Sequence, residues 1–248
     1  MNIAIFTSRE HCFTYEMLRE LLPLLSREHA VRGVFFFPEI LIRDRGARIY
    51  NTYLKIFGPA VFMQLALQSL AKKISLGSFA ALCARNTVQH IDADNPNDPA
   101  VIEWLRNNGI DIVLNFVGYI LRQDVLAAPA MGVLNKHAGL LPAYKGVLPV
   151  FWTLLNNDEV GVTIHEMDIA IDGGRIIRQE GFGSSPDLTV FEYYRKIFRA
   201  TPKLVAESLQ LLAGGKTRKY AHAMPPSYFG LPARKDYRAF KKKGLRFV

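Results

Sequence analysis

The chain has 248 residues, with 31 Lys and Arg against 22 Asp and Glu, and a net charge of +9. A length near 250 fits one large domain, or one domain with a small appendage. Half of the residues are apolar, which excludes a mostly disordered chain, and two cysteines, Cys12 and Cys83, exclude a disulfide scaffold and a Cys-rich zinc module.

In chain order, residues 2–7 form an apolar β run. Met17, Leu18, Leu21, Leu22 and Leu25 follow at helical spacing, and 31–37 is a second β run ended by Pro38. This strand–helix–strand unit opens a doubly wound, mostly parallel α/β sheet. Residues 39–85 read as a helical insertion, with runs near 49–57, 60–73 and 77–84. Core packing is its default role, and a lid or homodimer face is the alternative. Strands are expected at 88–91, 111–117 and 132–136, and helices at 100–107 and 122–126. A β pair at 161–166 and 175–181 comes next, then helices at 189–199 and 202–213. The last 33 residues read as irregular, because Pro225, Pro226, Gly230 and Pro232 interrupt them.

The charge is not evenly spread. Residues 216–248 hold ten basic side chains and one acid, so residues 1–215 are neutral overall. A solvated basic tail is the default reading. Contact with phosphate on a ligand or RNA, or with an anionic surface, are the sharper ones. The division expected is a catalytic domain over 1–215 and a short basic extension over 216–248. No signal peptide is read at the start. The most membrane-like stretch, 56–71, carries Gln64, Gln68 and a proline and is too short to span. The expectation is a cytoplasmic protein with no membrane span. The loop from Thr7 to His11 has no glycine, which argues against a dinucleotide cofactor.

The informative segment runs from Asn135-Lys136-His137 through Leu140–Gly146, Pro149 and Trp152 to Gly161–Asp168 and Ile171–Ile177. Asn135 and His137 lie two apart at a strand end, so their side chains share a face. An amide donor beside an imidazole can serve one oxyanion: the amide stabilises it and the imidazole donates or shuttles a proton. Asp172, on a nearby loop, is placed to orient the imidazole and accept a proton. No Ser or Cys stands with them, which favours direct transfer over a covalent intermediate. Each residue also has a bland reading, His137 as a structural histidine and Asp172 as a turn former.

Residues 110–180 resemble the catalytic core of the folate-dependent formyltransferases. The shared pattern is Asn-X-His, Leu-Pro-X-X-(Arg/Lys)-Gly, Pro, Gly-Val-Thr-(Ile/Val)-His and Asp-X-Gly, all present here in order. The resemblance implies 10-formyltetrahydrofolate as formyl donor, no metal, and Asn135, His137 and Asp172 as the catalytic trio. It implies that Val117, Gly118, Tyr119 and Leu121 contact the pterin, with Ile169, Ala170 and Ile171 closing the other side. His165 resembles the family's supporting histidine. The acceptor expected is an amine on a small molecule, first a nucleotide-linked amino sugar, with Lys145, Arg9 and Trp152 as its binding residues. The glycine-rich phosphate loop of the glycinamide ribonucleotide enzymes is missing. The residues after the core are too few for the barrel of the tRNA enzymes, so nucleic acid is not the expected partner. The regulatory domain that precedes the core in formyltetrahydrofolate hydrolases is not expected either, since the sequence starts directly with its first strand. Another small or tRNA-linked amine, or a non-catalytic folate-binding module, are the alternatives.

Overall fold

The computed structural model describes residues 1–41, 44–45, 47–215 and 224–248. The basic residues Lys216, Arg218 and Lys219 lie outside the described residues. The chain begins with strand β1 (Asn2–Ser8), helix α1 (Thr14–Leu25) and strand β2 (Ala30–Phe37). A short hairpin of β3 (Ile40–Leu41) and β4 (Asp44–Arg45) leads into α2 (Ala47–Phe57), α3 (Pro59–Ser75) and α4 (Phe79–Arg85). Then come β5 (Gln89–Asp92), α5 (Pro99–Asn107), β6 (Ile112–Asn115), α6 (Gln123–Leu126) and β7 (Val133–His137). Next are β8 (Lys145–Gly146), α7 (Pro149–Leu155), β9 (Gly161–Glu166) and β10 (Ile176–Gly181). Helix α8 (Val190–Ala213), β11 (Tyr228–Phe229) and α9 (Arg234–Lys242) complete the order.

Seven strands form the central sheet in the order β10-β9-β7-β6-β1-β2-β5. The pairs among β5, β2, β1, β6 and β7 are parallel, and β9 and β10 add an antiparallel edge. Alternation along β1 shows why the sheet is buried on both faces. Ile3 and Ile5 join a core cluster with α1 and α8, while Ala4 and Phe6 join a second cluster with α5 and α6. The expected doubly wound α/β architecture is therefore the one observed. From β1 the chain winds outward to β2 and β5, then returns to place β6 and β7 on the other side. The crevice at the carboxyl ends of β1, β6 and β7 lies at this reversal, where open α/β sheets bind ligands.

Three local expectations differ from the structure. The two helices expected at 189–199 and 202–213 are one helix, α8, which runs through Pro202. Thr201, Pro202 and Leu204 are all buried, so packing holds the helix where proline disfavours it. Residues 149–155 form α7, which was not expected as a helix. The third difference lies at the chain's end, where the described residues 224–248 are ordered onto the core rather than irregular. Pro232 precedes α9 rather than breaking it. Phe240 is fully buried and stacks on Phe151 with 4.7 Å between ring centroids. Leu245 and Phe247 are also buried, and the Phe191 amide donates to the Phe247 carbonyl. Phe240→Ala is therefore expected to cost about 3–5 kcal/mol of stability, measured by denaturant unfolding. A solvated tail would register almost no change.

Candidate active site

Asn135 and His137 end β7 and face the α5 side of the crevice. Asn135 stands in register with Asn115 on β6 and with His165 on β9, so three polar side chains meet across three neighbouring strands. Asn115 Nδ2 donates to Asn135 Oδ1 at 2.9 Å and to the Val117 carbonyl at 3.1 Å. Asn135 Nδ2 donates in turn to His165 Nε2 at 3.1 Å. His165 Nδ1–H donates to the Glu166 carbonyl at 2.8 Å, which leaves Nε2 as the acceptor. Burial, then the nearby His137, pushes His165 down to about 4, so it stays neutral near pH 7. The amide of Asn135 is thus held at its oxygen and at one N–H. Its second N–H is left for a ligand. Asn115 was not singled out in the sequence, because strand register brings it here and no local motif marks it.

The ring of His137 is fixed as well. Its Nε2–H donates to the Tyr144 carbonyl at 2.8 Å. A carbonyl only accepts, so Nδ1 is the nitrogen turned toward Asp172, with Oδ2 3.5 Å away. Burial lowers the pKa of His137, and Asp172 partly offsets this. Asp172 sits in the left-handed region at φ 49, where its Oδ2 accepts from the Gly146 amide at 2.9 Å and its Oδ1 lies 3.7 Å from His165 Nε2. The loop that carries it needs Gly174. A Cβ there would stand 1.8 Å from the Glu166 carbonyl oxygen. The three residues singled out from the sequence are therefore brought together.

The chain's last described segment supports this arrangement. Strand β11 pairs in parallel with β8, joining Tyr228 to Lys145 and Phe229 to Gly146. The Tyr144 amide donates to Ser227 Oγ at 2.9 Å, and the Tyr144 ring stacks on Phe229 at 5.2 Å. Tyr144 holds His137 and Gly146 holds Asp172, so residues 227–229 position both through one intermediate each. The fit is close: a Cβ on Gly146 would lie 2.3 Å from the Phe229 carbonyl oxygen.

These groups line a cavity of about 810 Å³. Val117, Gly118, Tyr119 and Leu121 form part of its wall, as do Ile169, Ala170 and Ile171. Tyr119 and Leu121 are also packed into the second core cluster, and Tyr119 Oη donates to the Pro38 carbonyl at 2.9 Å. Ile169 and Ile171 are exposed at the rim. Arg9, Lys145 and Trp152 lie off the lining. Arg9 pairs with Asp92. Trp152 stacks on Phe229, and its Nε1 donates to the Gly230 carbonyl at 3.0 Å. Lys145 lies close enough for its charge to disfavour protonation of His137.

The remaining wall is aromatic, with Phe13, Phe191, Tyr194 and Phe198 beside Tyr53, Phe62 and Leu65 of the inserted helices. Glu10 turns back on the start of α1, where its carboxylate accepts from the amides of Cys12, Phe13 (2.9 Å) and Thr14 (3.4 Å). A helix start after the first strand is a ready anion site, and here the chain fills it with its own carboxylate. The Cys12 thiol also lines the cavity, but burial pushes it up to about 12, so it carries no thiolate near neutral pH.

Lys136, between Asn135 and His137, points to the opposite face. Its Nζ lies 3.2 Å from the centroid of the Phe198 ring and 6.0 Å from that of Phe116. Burial lowers its pKa to about 7. The folded chain therefore binds this proton more weakly than the unfolded chain, and stability rises with pH from about 7 to the ordinary lysine pKa, about 10.4. Lys136→Met is expected to stabilise the protein near neutral pH by on the order of 1–2 kcal/mol. The gain should vanish above the ordinary lysine pKa. Urea unfolding at both pH values checks this.

Similarity to known proteins agrees with the geometry. Over 120 residues the chain is 35% identical to a methionyl-tRNA formyltransferase from Agathobacter rectalis, covering 48% of this chain and 39% of that relative. The chain thus spans well under half the length of that relative. A glycinamide ribonucleotide transformylase from Symbiobacterium toebii superposes with a TM-score of 0.62 at 21% identity, over 90% of this chain and 91% of that one. The formyltransferase PseJ from Anoxybacillus kamchatkensis was solved with UDP-4,6-dideoxy-4-formamido-L-AltNAc and tetrahydrofolate. It superposes with a TM-score of 0.51 at 24% identity, over 67% of this chain and 87% of that one. The formyl transferase family model matches residues 64–209, more than half of the sequence, and the chain belongs to that family.

Proposed function

We propose that the chain transfers the formyl group of 10-formyltetrahydrofolate to an amine of a small acceptor. The observation that carries this reading is the convergence of Asn135, His137 and Asp172 at the edge of one cavity, each held by neighbours that leave one functional atom toward it. The cavity falls in the size range of small-molecule sites. Its walls at 117–121 and 169–171 supply apolar surface and backbone polar groups suited to a flat pterin.

In this reading the acceptor nitrogen attacks the formyl carbon and an oxyanion develops. Asn135 donates its second Nδ2 hydrogen to that oxygen. His137, protonated at Nδ1, donates from the other side, and Nε2 stays on the Tyr144 carbonyl. Asp172 holds the protonated ring and accepts the proton that the attacking amine loses. That proton passes to the departing folate nitrogen as its bond to the formyl carbon breaks. Cys12 is protonated, which fits direct transfer rather than a covalent enzyme intermediate.

For the acceptor, the reading favoured is the amine of a nucleotide-linked amino sugar, supported by the sugar-formamide ligand of one structural neighbour. Glu10 already occupies the amides at the start of α1, so a phosphate bound there has no support. Lys136 is the one lysine on the cavity lining among the described residues, and no arginine stands on it. An acceptor with less negative charge is therefore the second reading. The test incubates purified protein, 10-formyltetrahydrofolate and a panel of amino-sugar nucleotides and simple amines. Mass gain of one formyl group on an acceptor identifies it. Gain only on uncharged amines moves the assignment to the second reading, and gain on none overturns formyl transfer to small amines.

A further inference from the structure

Helices α2 and α3 carry an apolar surface that the described chain leaves uncovered. Met63, Leu67, Leu70 and Ile74 follow one another at helical intervals, which forms one stripe along α3. Each is more than half exposed, and Leu54 extends the surface on α2. These five are nearly half of the eleven large apolar side chains exposed among the described residues. Single exposed apolar residues are ordinary, but a concentration of this kind marks an interaction surface. The inner side of the same helices is apolar too, with Val61 buried and Phe62 and Leu65 on the cavity. A helix apolar on both sides needs cover on both.

The charges beside this surface have one sign. The sequence has no Asp or Glu between Asp44 and Asp92. Arg48, Lys55 and Lys73 are exposed on α2 and α3. Helix α9 adjoins α2: the Tyr237 and Phe57 rings meet at 5.2 Å, and Arg234 Nη1 donates to the Lys55 carbonyl at 3.0 Å. Arg234, Lys235, Arg238, Lys241 and Lys242 are exposed on α9. Its one acid, Asp236, accepts from the Ala233 amide at the helix's own start. A second copy related by a two-fold axis would bring the same cations face to face, with no carboxylate on α2 or α3 and only Asp236, already held at the start of α9, to receive them. An anionic lipid surface receives both features: apolar side chains enter the acyl boundary while lysines and arginines meet the headgroups. Among the described residues no helix is long and apolar enough to cross a membrane, so α3 would lie along the surface.

We propose that α2, α3 and α9 together form a docking surface for an anionic lipid bilayer. This surface is independent of the formyl-transfer reading. The full chain is floated on a density gradient with vesicles of phosphatidylcholine, or of phosphatidylcholine with phosphatidylglycerol. The wild type rises with the anionic vesicles and stays behind with the neutral ones. Leu67→Glu/Leu70→Glu stays behind with both, with its circular dichroism and tetrahydrofolate affinity unchanged. Lys235→Ala/Lys241→Ala/Lys242→Ala, which leaves the apolar stripe intact, binds the anionic vesicles about a hundredfold more weakly. A wild type that does not rise with anionic vesicles overturns the proposal. A sedimentation-velocity dimer that Leu67→Glu/Leu70→Glu converts to monomer also overturns it, because a second copy then covers the stripe. Tetrahydrofolate binding is read without lipid, so failure of the docking surface leaves formyl transfer standing, and the reverse holds.

Discussion

Replacing His137 with alanine is expected to lower kcat for formyl transfer by about 10²–10⁴-fold, the range of a lost general acid. The protein should remain folded. What the fold loses is one hydrogen bond from Nε2 to the Tyr144 carbonyl, worth about 1 kcal/mol. In the proposed reading the pterin lies against residues 117–121 and 169–171 of the cavity wall, so tetrahydrofolate affinity should hardly change. This split separates a chemical role from a structural one. A histidine that only supported the loop would weaken folate binding and kcat together. An alanine variant with wild-type kcat would remove His137 from the reaction.

Asp172→Asn is expected to lower kcat by a similar factor, about 10²–10⁴-fold, and to move the pH profile. Asparagine suits this test for two reasons. It tolerates the left-handed backbone at φ 49, and its side-chain oxygen can still accept from the Gly146 amide. The turn is kept and the charge is removed. The carboxylate raises the pKa of His137 against the larger lowering effect of burial. Without it the His137 pKa falls further, and the protonated fraction near neutral pH falls with it. The alkaline limb of kcat against pH should therefore shift to lower pH in the variant. If Asp172 is only a turn former, the asparagine enzyme keeps both its rate and its profile.

The sequence made the sheet legible where period and apolarity agreed. β1, β2 and β6 are short, largely apolar runs, β7 opens on Val133 and Leu134, and all four lie near their expected places. The trio was legible because Asn135 and His137 share a strand and Asp172 follows in a motif of fixed order. Asn115 was not, because its contact with Asn135 depends on which residue of β6 stands opposite, and register is a property of the folded sheet. The final segment was misread for a different reason. Its charges say nothing of where it packs, which the rings of Phe229, Tyr237, Phe240 and Phe247 decide. The prolines all stand before Arg234, so they precede a helix and leave it whole. The rest of the cavity wall, Lys136 and the aromatic side chains, comes from Phe13 before α1, from β7, from α8 and from the insertion, and no single stretch of sequence displays that wall.

The return of residues 227–247 to the core has a consequence for the chain as it is made. Until these residues leave the ribosome, Phe57 and Phe151 lack the aromatic cover of Phe247 and Phe240. The loop that holds His137 and Asp172 then also lacks β11. A nascent chain that has already built β1 through β10 thus carries an open apolar face and a loop without its partner strand, a form prone to aggregation. Synthesis of residues 227–247 covers this face and supplies β11 in one step.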